Sequence, residues 1–462
     1  MSNHTHRPRR WLLAGGALVL VVAVVLALVL MWWPRHKLNS ARAAWQPPTE
    51  PVLSSSMREQ PVVGWRTSVL DLGLPEANDS RIVVSNVPTG PRAWVKSLGD
   101  NVYMLASSAA SNGRQWWLAG VDARDGRRLF DAVPLGVTMR QPQCFLNGPT
   151  DILCIDQFPS NTAWVIDGRS GAVIYTGPTD LRLGSATLAV AQVGIYAVAE
   201  TDDQGVYGIG PRAETTWFVP GDGRAQTPPP GAYSPVSQSL AAQYGTNPRK
   251  LDTTVFSVSD GVVIKPGVEA GSELAKTAVY PGGFASEIYT PDGRPSGISF
   301  FDETGKRVGD QNVEGALTDD LVDLPIISQG EDKSQAVYSP QGRRIFDAPW
   351  GASELVGNTL LVNDTKSQSF PMWQQYDLKT GDEGSACDFP MQNYIGTDGS
   401  IFVFEVTNHN AGLLATARDR ISCEKVWSIP SKPDSLARIW RINSTLIQLS
   451  DDGMELNSLV AR

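Results

Sequence analysis

Histidine is almost missing from this chain of 462 residues. There are four, and His4, His6 and His36 lie in or beside one apolar run near the N-terminus, which leaves His409 alone for the remainder. A Ser–His–Asp triad or a multi-histidine metal site has almost nothing to draw on. Cysteine is also scarce, four in all, and no C-x-x-C occurs, so zinc-ribbon and thioredoxin-like readings have no support. Long stretches of 3.6-residue periodicity are absent after residue 62, which excludes a helical body. Basic residues are in the minority. Residues 1–59 carry seven Arg/Lys against two Asp/Glu, a charge of +5, whereas the rest carries 32 against 46, a charge of −14. An acidic body argues against non-specific nucleic-acid binding, which needs a basic face. No Walker loop, Rossmann fingerprint or calcium-hand sequence stands in a supporting context. A hydrophobic content of 42% excludes a wholly disordered chain.

What is present begins with residues 11–33, WLLAGGALVLVVAVVLALVLMWW, without a charge. At ~1.5 Å per residue such a helix crosses the hydrocarbon core. Trp11, Trp32 and Trp33 sit where interfacial aromatics belong. Arg7, Arg9 and Arg10 precede the run and Arg35 and Lys37 follow it, a slight bias toward a cytoplasmic N-terminus of residues 1–10. A cleaved signal peptide is the alternative, but its apolar region is usually shorter. The reading is a retained single-pass anchor with an extracytoplasmic body. Residues 34–60, with Pro34, Pro47, Pro48, Pro51 and Ser54-Ser55-Ser56, read as a flexible linker. As a coil of ~25 residues it would hold the body roughly 25–30 Å from the bilayer.

An even cysteine count suits an exported body. Cys144 and Cys154 flank Asn147-Gly148-Pro149, a hairpin signal that sets the two sulfurs opposite each other. A bridge there persists only in an oxidising compartment; two unrelated buried thiols are the bland alternative. Cys387 with Cys423 follows by elimination.

From residue 61 onward short alternating apolar runs are punctuated by Gly, Asp, Asn and Pro, which is an all-β pattern. A hairpin motif recurs: Val121-Asp122 to Gly126 and then Leu129-Phe130; Ile166-Asp167 to Gly171 and then Ile174-Tyr175; Tyr376-Asp377 to Gly381; with looser copies ending at Gly305 and Gly342. Degenerate copies surround Gly223 and residues 420–427. The Asp accepts backbone N–H bonds in the turn, and the Gly supplies the positive φ of a tight hairpin. Gly126 to Gly171 is 45 residues, Gly305 to Gly342 is 37, and Gly342 to Gly381 is 39. Units of this length built from four strands are propeller blades. Extrapolation to a closing turn at Asp452-Gly453 gives eight four-stranded blades, or seven, with Gly261 as a hairpin inside one enlarged blade. The C-terminal run, 438–460, offers only three strands, and a strand around Trp65 would complete the last blade and remove both open edges.

The pattern apolar-Asp-x-x-[Ser/Thr]-Gly-x-apolar-apolar-aromatic resembles the repeat of the quinoprotein-like propeller superfamily. That resemblance spans roughly residues 62–462 and implies a propeller fold. The superfamily includes alcohol dehydrogenases that use pyrroloquinoline quinone and non-enzymatic envelope propellers such as the lipoprotein of the outer-membrane assembly machinery. The anchor, linker and Ala/Gly/Val-rich composition resemble membrane-anchored propeller proteins of actinobacteria.

Three functional readings compete. A quinone-dependent dehydrogenase would require adjacent cysteines over the cofactor and a calcium site, and no two cysteines are adjacent. Asp319-Asp320 with Asp323 reads as a solvated turn. A carboxylate-based hydrolase of envelope glycans needs only two facing carboxylates. Ser257–Gly261 matches a sialidase-type Asp box superficially and lacks its Thr-Trp end. The preferred reading is a non-catalytic binding or scaffold module of the cell envelope, with no cofactor, no metal site and no catalytic residues assigned. Its partner would be an envelope protein or ligand. The longest insertion, 227–250, contains Pro228-Pro229-Pro230 and makes Tyr233, Tyr244 and Arg249 the candidate contact residues, unless it is a tolerated surface insertion. Trp164, Trp217, Trp373 and Trp427 stand beside motif turns, a register that marks packing between blades. Trp116-Trp117 and Trp350 are weaker candidates for ligand stacking.

Overall fold

The computed structural model describes residues 37–47, 52–76, 79–83, 96–157, 161–226, 239–243, 253–318, 323–330, 334–364, 372–406, 412–432 and 435–462. The apolar run at 11–33 lies outside them. Among the described residues no helix is long and apolar enough to cross a membrane.

The body is built from antiparallel meanders that follow one another in chain order. Blade 1 covers residues 81–138, blade 2 143–178, blade 3 189–220, blade 4 225–263, blade 5 273–313, blade 6 316–349, blade 7 353–387, blade 8 394–430 and blade 9 438–460. Eight of the sheets carry four strands or more, as the repeat predicts. In blade 1 two short strands, Arg81–Ile82 and Lys96–Leu98, share the inner edge of Asn101–Ala110. The ninth sheet is the unit that the sequence reading folded into one enlarged blade. Blade 4 has only two regular strands, Leu240–Ala242 and Val255–Ser257. Single bridges, Ala225 to Gln243 and Phe256 to Val263, mark where its inner and outer strands would run. Gly223 therefore follows the outer strand of blade 3, and Asp452-Gly453 joins the second and third strands of blade 9; neither is a third-to-fourth turn.

The strands are buried on both faces because each blade packs between two others. Among the described residues nine apolar clusters occur, and each is shared by two successive blades. Blades 1 and 2 share Leu105, Leu118, Ile152 and Trp164. Blades 4 and 5, at the abbreviated sheet, share Leu240, Val255, Phe284 and Phe301. The ring closes where blade 9 meets blade 1 through Trp440, Ile447, Val102 and Ala119.

Strand Val62–Ser68 lies antiparallel to Glu455–Val460 and supplies the outer strand of blade 9, so the first and last strands of the body share one sheet. This pairing covers the edge that either terminus would otherwise leave open.

The expected linker is a correction. Residues 37–44 are helical, and Ala41 and Trp45 are buried at the seam of blades 6 and 7 against Ile345, Phe346 and Leu378. Arg42 donates through Nε to the Ile345 carbonyl at 2.8 Å and through Nη1 to Thr380 at 3.1 Å. Leu53 and Met57 are buried at the seam of blades 8 and 9. The Leu53 N–H donates to the Thr397 carbonyl at 2.8 Å, and the Met57 N–H to Asp398 at 2.6 Å. Proline and serine deny this stretch a long helix, but its apolar and basic side chains find partners on distant blades. Residues 37–47 and 52–60 form a strap on the ring rather than a tether.

Candidate functional site

In each blade the first-to-second and third-to-fourth turns fall on one face of the ring, because the strands alternate in direction. On that face the third-to-fourth turns are built alike. The N–H of a left-handed residue donates to a carbonyl three or four residues back, as Gly126 does to Asp122 and Gly381 to Asp377. The left-handed positions are Gly126, Gly171, Ala213, Gly261, Gly305, Gly342, Gly381 and Cys423. Two of the eight are not glycine, with φ of 54° at Ala213 and 65° at Cys423.

The preceding blade often covers this turn. A Cβ on Gly126 would stand 2.5 Å from Trp65 of blade 9, one on Gly171 2.6 Å from Phe130 of blade 1, and one on Gly261 2.6 Å from Trp217 of blade 3. At the seam of blades 7 and 8 the cover is covalent: Cys387, in the outer strand of blade 7, is disulfide-bonded to Cys423 in the turn of blade 8. The other disulfide, Cys144–Cys154, joins directly opposed residues of the first two strands of blade 2. Both expected bridges are formed. Two further seams are served by the strap. Arg42 lies over Gly381, and the indole N–H of Trp427 donates to the Met57 carbonyl at 2.7 Å.

The turn carboxylates are occupied with this geometry. Asp167 accepts from the Ser170 hydroxyl and backbone, and these bonds hold its carboxyl below the ordinary value. Asp302 is lowered first by the Thr304 hydroxyl, and Asp419 first by the Ser422 N–H. A general acid needs the opposite shift. Burial raises the carboxyls of Glu200 and Asp323, which stand in blades 3 and 6. Glu200 is held by an N–H bond from Ala225 at 2.8 Å.

The other sequence candidates divide. Tyr233, Tyr244 and Arg249 lie outside the described residues, as do Asp319, Asp320 and His409. Ser257–Gly261 is the third-to-fourth turn of blade 4, beneath Trp217. Trp164 and Trp373 are buried in third strands and Trp427 in an outer strand, each in an interblade cluster. Trp116 is buried in the same cluster as Trp164, and Trp350 is exposed. Among the described residues no group of three metal-ligating side chains converges.

A cleft of about 370 Å³ opens where the outer strand of blade 2 meets the turn of blade 3, lined by Tyr175, Thr179, Asp180, Arg212 and Glu214 among others. Its rim is tied by the Thr179 hydroxyl donating to the Ala213 carbonyl at 2.9 Å and by the Glu214 carboxylate accepting the Arg212 N–H at 2.7 Å. No sequence motif points to this cleft, because its walls come from two blades. The strap residues Arg42, Trp45 and Met57 also escaped sequence reasoning. The only signal they offered was a scattering of apolar residues in a Pro/Ser-rich segment.

Nine interblade clusters, nine sheets and a two-ended last blade describe a nine-unit ring. The family of conjugation-associated nine-bladed β-propeller domains matches residues 37–462. The chain belongs to that family. The match starts at the strap helix and runs through the closing blade. An uncharacterised protein of Mycolicibacterium smegmatis (strain MKD8) is 36% identical over 477 residues, covering 98% of this chain and 96% of that protein. Among solved structures, BamB from Moraxella catarrhalis aligns with a TM-score of 0.37 at 12% identity, over 87% of this chain and 99% of that one. The computationally designed Ika8 protein aligns with a TM-score of 0.37 at 11% identity, over 67% and 93%. Likenesses this distant say nothing of function.

Proposed function

We propose that this protein is a membrane-anchored, extracytoplasmic propeller that acts as a non-catalytic binding scaffold of the cell envelope, in the conjugation setting for which its family is described. The observation that carries the reading is the closed ring itself. Every seam is filled by side chains of successive blades, and the turn carboxylates bond to their own turns. Such a frame presents loops rigidly, and rigid loops make binding surfaces. The two disulfides suit an oxidising, extracytoplasmic compartment. The uncharged run at 11–33 supports the anchor, with residues 1–10 cytoplasmic and the propeller outside. The insertion 227–250, with Tyr233, Tyr244 and Arg249, is the proposed contact segment for an envelope protein.

Deletion of the gene from a conjugating host tests the setting. Transfer frequency is expected to fall sharply. The full chain should restore it, and a chain lacking 11–33 should not. Unchanged transfer would contradict the assignment.

A further inference from the structure

We propose that the face of the ring bearing the first-to-second and third-to-fourth turns is the one turned toward the lipid bilayer. The inference rests on the reading of residues 11–33 as a membrane anchor and deepens it by fixing the orientation of the propeller.

The first argument is one of length. The strap is already docked at its helix, 37–44, through Arg42 and the buried Trp45. Only Pro34, Arg35 and His36 separate the apolar run from Lys37. Four peptide steps span at most about 14 Å when fully extended. A propeller whose strap is docked therefore stays close to the membrane it is anchored in.

The second argument is where the strap docks. Arg42 reaches Thr380, in the third-to-fourth turn of blade 7. The Leu53 N–H meets Thr397, at the end of the inner strand of blade 8, and the Ser54 N–H meets Ser444, in the first-to-second turn of blade 9. All three contacts are on one face. The outer strand Val62–Ser68 starts on that face as well.

Exposed apolar side chains do not themselves choose the face, since Met139, Leu70, Val137 and Trp350 stand exposed on the opposite one. Large aliphatic side chains are also exposed on the strap's side of blades 8 and 9. Ile421, in the turn of blade 8, is 75% exposed, and Val52, in the strap, is 49% exposed. Val426, Val62 and Val63, at the starts of the two outer strands, are exposed beside them. Scattered singly, such side chains are ordinary surface residues that are compatible with the interfacial zone of a membrane. The body is acidic overall, so the orientation is imposed by the short connection and not by attraction to anionic lipid.

The test uses the full chain reconstituted in phosphatidylcholine vesicles that carry a headgroup-linked fluorescence quencher. Ile421→Cys and, on the opposite face, Met139→Cys are labelled singly with a thiol-reactive fluorophore while the native cysteines remain in disulfides. Quenching at position 421 is expected to exceed that at 139 several-fold. Arg42→Ala combined with Trp45→Ala should release the strap and bring the two positions toward equality. Equal quenching in a chain that floats with the vesicles, or a difference that survives strap release, overturns the orientation. A chain that fails to float overturns the anchor reading and this one with it.

Discussion

At Gly171 the backbone φ is +71°, and an added Cβ would stand 2.6 Å from Phe130 of the preceding blade. Gly171→Ala should cost about 2 kcal/mol or more, combining left-handed strain with displacement of a packed ring. Ala213→Gly should cost nothing or stabilise by a few tenths, since it removes strain at the expense of a looser unfolded chain. Urea unfolding of both variants checks the pair; equal losses would contradict the account. The same positions explain what the sequence hid. A left-handed Ala213 and a left-handed Cys423 carry no glycine signature, so blades 3 and 8 showed no clean repeat, while Gly223 offered a false one. The turn carboxylates give a pH dependence. Asp167, Asp302 and Asp419 ordinarily titrate at 3.8 and are lowered in the fold by their turn hydrogen bonds. A lowered folded value means that the stabilisation is complete above about 3.8 and is lost as pH falls through the folded values. The urea midpoint should decline below about pH 4 as these aspartates protonate, whereas Glu200 and Asp323, raised by burial, act in the opposite sense above it. A midpoint that keeps rising as pH falls below about 4 would contradict this.

At the scale of elements, the interblade disulfide and the strap do the same work by different means. Cys387–Cys423 closes 36 residues and Cys144–Cys154 closes 10. On the chain-entropy account their removal should cost about 3.8 and 2.7 kcal/mol respectively. Paired Cys→Ser variants would read this directly, and a larger loss at 144–154 would contradict the ordering. The strap should come off before the ring opens. Trp45→Ala is expected to raise amide exchange across 37–47 while leaving the strand Val62–Ser68 protected. Uniform loss of protection would contradict a separately docked strap. The hairpins were legible because their determinants are local: an Asp, a Gly and alternating apolar residues. The strap was not legible, because Arg42, Trp45 and Met57 are held by Ile345, Thr380 and Trp427, hundreds of residues away in sequence.

For the whole molecule, the four-stranded repeat and the strand near Trp65 could be read from the sequence, since each repeat must present two apolar faces and a ring must close its edges. The abbreviated blade 4 could not. Its inner and outer strands survive as single bridges, so its length alone distinguished it from an enlarged neighbour. What the ring binds is decided by loops, which obey no such rule. The proposed role, a scaffold held in a membrane, is tested by purification of the full chain from native membranes after mild cross-linking, with mass spectrometry. The account predicts one reproducible, near-stoichiometric envelope protein that is lost when residues 227–250 are deleted. Recovery of the chain alone, with and without the deletion, would contradict it.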